Sequence, residues 1–224
     1  MKIGMILFEN LTQLDLTGPF EVFNRLPDTQ IYLIAETITA VKSDGGMKIM
    51  SDMTFQDCPI LDIIFVPGGP GVSAAMENDV LMAFLKKQSL TAQYITSVCT
   101  GSLVLGMAGL LRGYKATTHW LSLDLLSLFE GITVEKQRVV IDRNRITGGG
   151  VTAGIDFGLT LVASIFNENL AKEIQLILEY NPQPPFNAGS PDTADMEILE
   201  YVKTKRKGIQ TERREHILKL LNAK

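Results

Sequence analysis

The chain has 224 residues, of which 46% are apolar and 21% charged, and its net charge is −4. This balance is typical of a globular protein with one well-buried core, and it excludes a disordered chain. The slightly acidic composition also lacks the positive charge needed to bind nucleic acid or an anionic membrane surface, so we expect neither as a partner.

Short apolar runs rich in Ile, Val and Phe predict strands that are covered on both faces. The N-terminal run has no charged region or cleavage site of a signal peptide, so we expect a cytoplasmic protein. A tight Asp-Arg-Asn turn predicts that the last two strands pair with each other. The predicted strands are Lys2–Phe8, Ile31–Ala35, Asp62–Val66, Tyr94–Val98, Val139–Ile141 and Arg145–Thr147.

Helical patterns fill the intervals between these strands. Thr17 is placed to cap a helix that has Pro19 near its start, where the missing N–H costs nothing. A second helix is predicted to open at Asn78 or Asp79 and to run to about Gln88. Strands alternating with helices predict an α/β fold, with a mostly parallel central sheet flanked by helices on both faces.

A longer helix is predicted from Thr152, with apolar residues at helical spacing until Asn181-Pro182 ends the pattern. Its apolar positions are Leu159, Val162, Phe166, Leu170, Ile174 and Leu178.

Only 39 residues follow Pro185, which is too few for a separate large domain. We therefore expect a single domain over residues 1–224, with residues 183–224, approximately, forming a helical extension packed on it. The basic stretch Lys203–Arg214 contains acidic residues and is followed by apolar residues at helical spacing. These features favour a solvated amphipathic helix over a nucleic-acid site.

Cys99 is the strongest candidate for a reactive group. It follows the predicted strand Tyr94–Val98 and precedes a predicted helix, so it lies on a sharp strand-to-helix turn that Gly101 gives room to form. A helix N-terminus stabilises a thiolate, so we expect the pKa of this thiol to be lowered. The alternative is that Cys99 is a small buried apolar residue.

Two further segments follow predicted strands and are expected at the same edge of the sheet. In the sequence Val66-Pro67-Gly68-Gly69-Pro70-Gly71, the backbone N–H groups of Gly68 and Gly69 could bind a substrate or an oxyanion. The alternative is an ordinary tight turn. Asp15 lies between leucines before a helix, where burial would raise its pKa and let it donate a proton near neutral pH.

Two cysteines and two histidines, widely separated, predict neither a disulfide nor a metal site, and we expect no cofactor. For His119, local hydrogen bonding is favoured over catalysis.

Several segments together resemble the ThiJ/PfpI superfamily, the class I glutamine amidotransferase-like fold, over Met1 to about Asn181. They are LTQLDLTGPFEVF, VPGGPG, SVCTGSLVLGMAGLLRG, ATTHW and GGGVTAGID. Within the superfamily they look most like the isonitrile hydratase branch. Thr100 occupies the position at which peptidase-type members carry a histidine, so peptidase activity is not expected.

The resemblance implies a flavodoxin-like fold, a homodimer and a small-molecule substrate, with Cys99 as nucleophile and Asp15 as its acidic partner. It implies addition of water to an isonitrile through a thioimidate on Cys99, with the Thr100 hydroxyl orienting Asp15 or the water. A redox-sensing or ligand-binding regulatory protein, or another cysteine hydrolase or glyoxalase-like enzyme, is the alternative.

Overall fold

A computed structural model describes residues 1–223 of the chain. The strands in this range are β1 (Lys2–Ile6), β2 (Gln30–Ala35), β3 (Ala40–Lys42), β4 (Lys48–Met50), β5 (Met53–Thr54), β6 (Ile63–Val66), β7 (Tyr94–Val98), β8 (Lys115–Ala116), β9 (Thr133–Val134), β10 (Val139–Asp142) and β11 (Arg145–Gly148). The helices are α1 (Gln13–Phe23), α2 (Val72–Glu77), α3 (Asp79–Ser89), α4 (Gly101–Met107), α5 (Leu123–Leu126), α6 (Ala153–Ile165), α7 (Glu168–Ile177) and α8 (Met196–Asn222), with a 3-10 turn at Trp120–Ser122.

The central sheet has seven strands in the order β10-β11-β7-β6-β1-β2-β5. Every neighbouring pair is parallel except β10 and β11, which form the predicted antiparallel hairpin. The predicted mostly parallel α/β fold is confirmed. The short strands β3, β4, β5, β8 and β9 were not predicted, because segments of two or three residues carry no measurable periodicity.

Alternate side chains of the central strands fill two cores, one on each face of the sheet. Ile63 and Phe65 pack among α1, α6 and α7, whereas Ile64 and Val66 pack among α2, α3, α4 and α5. All four of these side chains are fully buried. A strand with both faces covered is therefore a continuous apolar run in the sequence.

The strands β11, β7, β6 and β1 are adjacent and parallel. Their carboxyl ends therefore lie at one edge of the sheet. The segments that leave this edge contain Asp15 after β1, Gly68 after β6, Cys99 after β7 and Val151 after β11. The order of the strands brings together residues that are far apart in the sequence.

The start of α1 differs from the prediction. The helix begins at Gln13 with Thr12 at its N-cap, so Thr17 and Pro19 lie inside it. The Thr17 hydroxyl donates a hydrogen bond to the Gln13 carbonyl (3.2 Å) instead of capping. Gly154 of α6 leaves room for the proline ring. A Cβ atom on Gly154 would lie only 2.9 Å from Pro19 Cδ. This earlier start places Asp15 in the first turn.

The predicted long helix from Thr152 is two helices, α6 and α7. The backbone leaves the helical region at Phe166, and the Asn167 side chain caps α7 by accepting a hydrogen bond from the Leu170 N–H (2.9 Å). An asparagine at this position gives the backbone a local alternative to continuing the helix. The prediction that Asn78 or Asp79 opens α3 is confirmed, because the helix begins at Asp79 and the Asn78 side chain caps it by accepting from the Leu81 N–H.

The C-terminal segment forms one helix of 27 residues, α8, which contacts α2 and the 3-10 turn. Within it only Arg213 and Ile217 are buried. Ile217 is fully enclosed in the core that also contains Val66 and Val72, whereas Ile209 is 45% exposed. The helix is therefore attached through its C-terminal half. Among residues 1–223, no helix combines the length and apolar character needed to cross a membrane.

We predict that Ile217→Ala lowers the free energy of unfolding by about 2 kcal/mol or more, because it removes packed methylene groups from a closed core. Ile209→Ala is the matched control, since it makes the same change at an exposed position of the same helix and is expected to stay within about 0.5 kcal/mol. Urea denaturation of the two variants and the wild type gives the comparison. Equal losses would contradict the described attachment of α8.

Candidate active site

The Asp15 carboxyl group is fully buried at the edge of the sheet. Its Oδ2 atom accepts a hydrogen bond from the Gly68 N–H (3.1 Å), and its Oδ1 atom has no hydrogen-bond partner among residues 1–223. Burial raises the pKa of Asp15 from 3.8 to about 7, while a contact with Cys99 and the Gly68 N–H act in the opposite direction. Asp15 can therefore gain or lose a proton near neutral pH, as predicted.

Cys99 lies on the predicted turn between β7 and α4, and its backbone is held in the left-handed region with a φ of 52°. Residues other than glycine rarely adopt this conformation, and it persists only where surrounding contacts enforce it. The Cys99 N–H donates to the carbonyls of Gly148 (3.0 Å) and Gly149 (2.8 Å). Its carbonyl accepts from the hydroxyls of Thr118 (2.8 Å) and Ser102 (3.2 Å). The turn is thus fixed on both sides.

The electrostatics of the Cys99 thiol differ from the expectation. Burial, and then the charge of Asp15, raise the pKa of the thiol above its ordinary range, although the N–H groups of Val151 and Thr100 act to lower it. The prediction of a lowered pKa is wrong for the resting protein. The helix that follows has only seven residues, and its N-terminus does not offset the loss of solvent around a side chain that is 6% exposed.

Gly68 allows Asp15 and Cys99 to approach each other. A Cβ atom at this position would lie 2.5 Å from Thr100 N, 2.8 Å from Asp15 Oδ2 and 2.8 Å from Cys99 Cβ. No side chain fits in this space without moving both reactive residues. The glycine is required by close packing at the centre of the site.

The predicted substrate-binding role of Gly68 and Gly69 is not supported by their contacts. The Gly68 N–H binds Asp15, and the Gly69 N–H binds the Thr100 hydroxyl (2.9 Å), so both donors already have partners. The Thr100 hydroxyl also donates to the Gly69 carbonyl (3.3 Å). It holds the glycine loop and does not hydrogen-bond Asp15 in this structure, so the predicted orientation of the water by Thr100 stays a prediction.

Val151 is a site residue that the sequence did not indicate; its N–H faces the Cys99 sulfur from the segment after β11. The triple glycine before it was part of the family resemblance, but no side chain there indicates a role. A Cβ atom on Gly150 would lie 2.2 Å from His119 Cδ2, so the His119 ring packs directly on this segment.

His119 has the local role that the sequence favoured. Its Nδ1 atom accepts a hydrogen bond from the Leu121 N–H (3.2 Å) at the start of the 3-10 turn. Burial, with the charges of Arg213 and Arg206, lowers the pKa of His119 to about 4. The imidazole is therefore neutral at physiological pH.

Arg213 of α8 is a second residue that the sequence did not indicate. It is 6% exposed, and the charge of an ionised Cys99 raises its pKa, whereas burial lowers it.

Cys58 lies outside this site. It is half-buried near Gln88, and burial raises its pKa to about 11. No group of three or more His, Cys, Asp and Glu side chains in the described part of the chain is arranged to hold a metal ion.

Comparison with known proteins gives a family match and several similar proteins. The sequence pattern of the DJ-1/PfpI family matches residues 1–164. Isonitrile hydratase of Pseudomonas putida is 50% identical over 203 residues, which are 91% of this chain and 89% of that protein. A crystal structure of a ThiJ/PfpI family protein from Pseudomonas syringae superposes with a TM-score of 0.93 at 43% identity, covering 96% of this chain and 90% of that one.

The HTH-type transcriptional regulator GbdR of Pseudomonas aeruginosa is 29% identical over 186 residues, which are 80% of this chain. The matched region makes up 50% of that regulator, so this chain corresponds to about half of its length.

We predict that Asp15→Asn stabilises the folded protein at pH 8 but not at pH 4. The pKa of Asp15 is higher in the folded state than in the unfolded state, so ionisation opposes folding, and the free energy of unfolding falls as pH rises from about 4 to about 7. At about 1.4 kcal/mol per pKa unit, a rise from 3.8 to about 7 corresponds to at most about 4 kcal/mol.

Thermal and urea unfolding at the two pH values measure this difference. Asp192→Asn serves as the control, because Asp192 is exposed. A variant that is less stable than the wild type at pH 8 would show that the Asp15 carboxylate stabilises the fold.

Proposed function

The chain belongs to the DJ-1/PfpI family, and from this membership we propose that it is an isonitrile hydratase, an enzyme that adds water to an isonitrile to give an N-substituted formamide. The observation that carries the proposal is the buried pair of Asp15 and Cys99 in a chain 50% identical to the Pseudomonas putida enzyme over nearly its whole length. The cysteine nucleophile and the roles of the individual residues are part of the proposal.

The chemistry begins with a pair of acidic groups that shares one proton. The pKa of Asp15 is raised to about 7 and that of Cys99 is raised further, so above pH 7 the pair keeps one proton, held mainly on sulfur. Transfer of this proton from Cys99 to Asp15 gives a thiolate next to a carboxylic acid. These are the nucleophile and the acid that an isonitrile requires.

In the first step, the Cys99 thiolate attacks the terminal carbon of the isonitrile and forms a C–S bond. Asp15 donates its proton to the same carbon, which gives a covalent thioimidate and leaves Asp15 ionised. A covalent intermediate divides one difficult hydration into two easier steps. The N–H groups of Val151 and Thr100, which face the sulfur, stabilise its negative charge before the attack.

In the second step, ionised Asp15 accepts a proton from water as the water oxygen attacks the thioimidate carbon, and Asp15 then transfers this proton to the imine nitrogen. Asp15 finally accepts the hydroxyl proton while the C–S bond breaks. The formamide leaves, and the thiolate and carboxylic acid are restored. One carboxyl group serves as acid and base, which needs a pKa close to the working pH.

The glycine loop and Thr100 support this chemistry through position. Gly68 holds the Asp15 carboxyl by its N–H, and the Thr100 hydroxyl fixes the Gly69 peptide. Errors of about 1 Å in the placement of reacting groups are costly. These residues therefore act by fixing the position of Asp15 relative to Cys99.

A ligand-binding regulatory role is the second candidate, and the similarity to half of GbdR favours it. Such a protein would bind a small molecule without converting it. Turnover of a simple isonitrile distinguishes the two candidates.

We predict conversion of cyclohexyl isocyanide to N-cyclohexylformamide, followed by ultraviolet absorbance and chromatography. Cys99→Ser is expected to abolish turnover, and Asp15→Asn to lower kcat by at least about 10²-fold, which is typical of losing a general acid–base. Asp15→Glu is also expected to be impaired, because the added methylene displaces the carboxyl. Cys58→Ser, which changes a cysteine outside the site, is expected to retain wild-type activity.

Failure of the wild type to convert any of several alkyl and aryl isonitriles would reject the proposed activity. Near-wild-type kcat in Asp15→Asn at every pH would reject Asp15 as the acid and base.

We also predict that kcat/KM rises with pH and reaches a plateau above about pH 7. Below this value the pair binds a second proton, because the pKa of Asp15 is raised to about 7, and kcat/KM is expected to fall about tenfold per pH unit. Measurements from pH 5 to 9 test this. A profile that decreases above pH 7 would show instead that Cys99 ionises independently while Asp15 must stay protonated.

A further inference from the structure

Arg213 is a buried cation on the C-terminal helix α8. The residue is 6% exposed, and among residues 1–223 its Nε atom has no hydrogen-bond partner. No carboxylate group within residues 1–223 forms an ion pair with it. The next residue, Arg214, pairs with Asp124 and is partly exposed. An unpaired buried charge is destabilising, so a fold retains one at a cost.

The neighbours of Arg213 on α8 fix its position. Ile217, one turn further, is fully buried in the core. The Gln210 side chain lies one turn before and accepts a hydrogen bond from the Ser122 hydroxyl (3.3 Å), while a ring nitrogen of His216 lies 3.0 Å from the Ser73 carbonyl oxygen. Ser122 ends the 3-10 turn that begins after His119. Arg213 therefore lies where α8 contacts the 3-10 turn, close in sequence to Thr118, whose hydroxyl donates to the Cys99 carbonyl, and to His119, whose ring packs on Gly150.

Burial lowers the pKa of Arg213, and the charge of an ionised Cys99 raises it, so the two side chains are near enough to interact. Other charged and titratable groups in this region include Asp15, Asp44, His119 and Arg206, together with His216 of α8 and Glu77 of α2, which lie 3.6 Å apart. His119 is neutral, since its pKa is lowered to about 4. The charge of Asp44 raises the pKa of Asp15, and the charge of Arg206 lowers the pKa of His119. An anion at Cys99 would therefore compensate the charge of Arg213.

We propose that Arg213 is a positioning residue for the shared proton, because its guanidinium group acts as the counter-ion of the Cys99 thiolate. The proton moves from Cys99 Sγ to the Asp15 carboxylate, sulfur keeps the electron pair, and Arg213 stays protonated throughout. Without this cation, two features would keep the proton on sulfur, namely the burial of the thiol and the negative charge of Asp15. The C-terminal helix, which lies beyond the family-matched residues 1–164, thereby sets the reactivity of the site.

This proposal deepens the proposed function and rests on it only for the consequence to turnover. Thiol ionisation and alkylation need no isonitrile. A chain that failed to hydrate isonitriles would still show whether Arg213 controls Cys99, so the two failures are distinguishable.

The experiment compares Arg213→Met, Arg213→Gln and Arg213→Lys in a Cys58→Ser background, with Arg214→Met as the control that removes a neighbouring charge from the same helix. Thiolate content is measured by absorbance at 240 nm, and reactivity by the alkylation rate with iodoacetamide, each from pH 5 to 10. Mass spectrometry confirms that Cys99 is the alkylated residue, and thermal unfolding monitors the fold.

Arg213→Met and Arg213→Gln are expected to lower the alkylation rate at pH 7 by roughly tenfold or more and to move its midpoint to higher pH, since a tenfold change corresponds to one pKa unit. Arg213→Lys, which keeps the charge, is expected to retain most of the reactivity, and Arg214→Met to match the wild type. Neither neutral variant is expected to melt below the wild type, because each removes an unpaired buried charge.

Unchanged thiolate absorbance and alkylation in the folded neutral variants would overturn the proposal. So would slower alkylation by iodoacetate alone with an unchanged rate for iodoacetamide, because Arg213 would then attract anionic reagents without ionising the thiol. If both neutral variants failed to fold, a buried structural role would replace the proposed one.

Discussion

The burial of one carboxyl group against one thiol is the constraint on which the rest of this structure depends. Asp15 and Cys99 lie on different strand–helix connections, and neither is accessible to bulk water to a useful extent. Their approach requires Gly68 between them, a left-handed backbone at Cys99 and a short segment after β11 that brings the Val151 N–H to the sulfur. Each of these features is unfavourable or restrictive alone, and together they define a single arrangement. The two packed cores beneath the sheet edge supply the rigidity that holds it.

The site concentrates electrostatic features that do not stabilise the fold. A carboxyl group with a raised pKa, a thiol with a raised pKa and an arginine with no ion pair to residues 1–223 lie within one region of low solvent content. In water, each group would be solvated and would have its ordinary pKa. Enclosed together, they are the groups on which the proposed proton transfer depends. The stability given up at this edge is offset by the continuous apolar strands elsewhere.

Much of this arrangement could be predicted from the sequence, because long apolar runs mark the buried strands and strand ends mark the site. The family resemblance and the α/β fold are confirmed, and Asp15 and Cys99 do lie together. The predicted start of α1 was too late, because proline is commonest in the first turn of a helix. Here Pro19 lies inside the helix, where Gly154 leaves room for its ring. The homodimer and the catalytic roles stay predictions.

The errors at the site share one cause, which is that they depend on contacts between distant segments. The direction of the Cys99 pKa depends on how completely Asp15 and its neighbours exclude water, and no local pattern reports this. Val151 acts through its backbone, so its side chain gives no signal. Arg213 lies in a stretch of mixed charges typical of a solvated helix, and only the folded chain shows that this one arginine is enclosed.

The long helix α8 has two mechanically different halves. Its first half, up to Gly208, contains no buried residue, and around Gly208 a side chain would meet only open space. A glycine in an exposed helix interior costs about 1 kcal/mol relative to alanine, and packing does not compensate for it here. Local opening can therefore start in the first half and stop at the anchored turns near Ile217. In amide hydrogen exchange, we expect one continuous helix to show a rapidly exchanging segment joined to a protected one, with the boundary between Gly208 and Arg213.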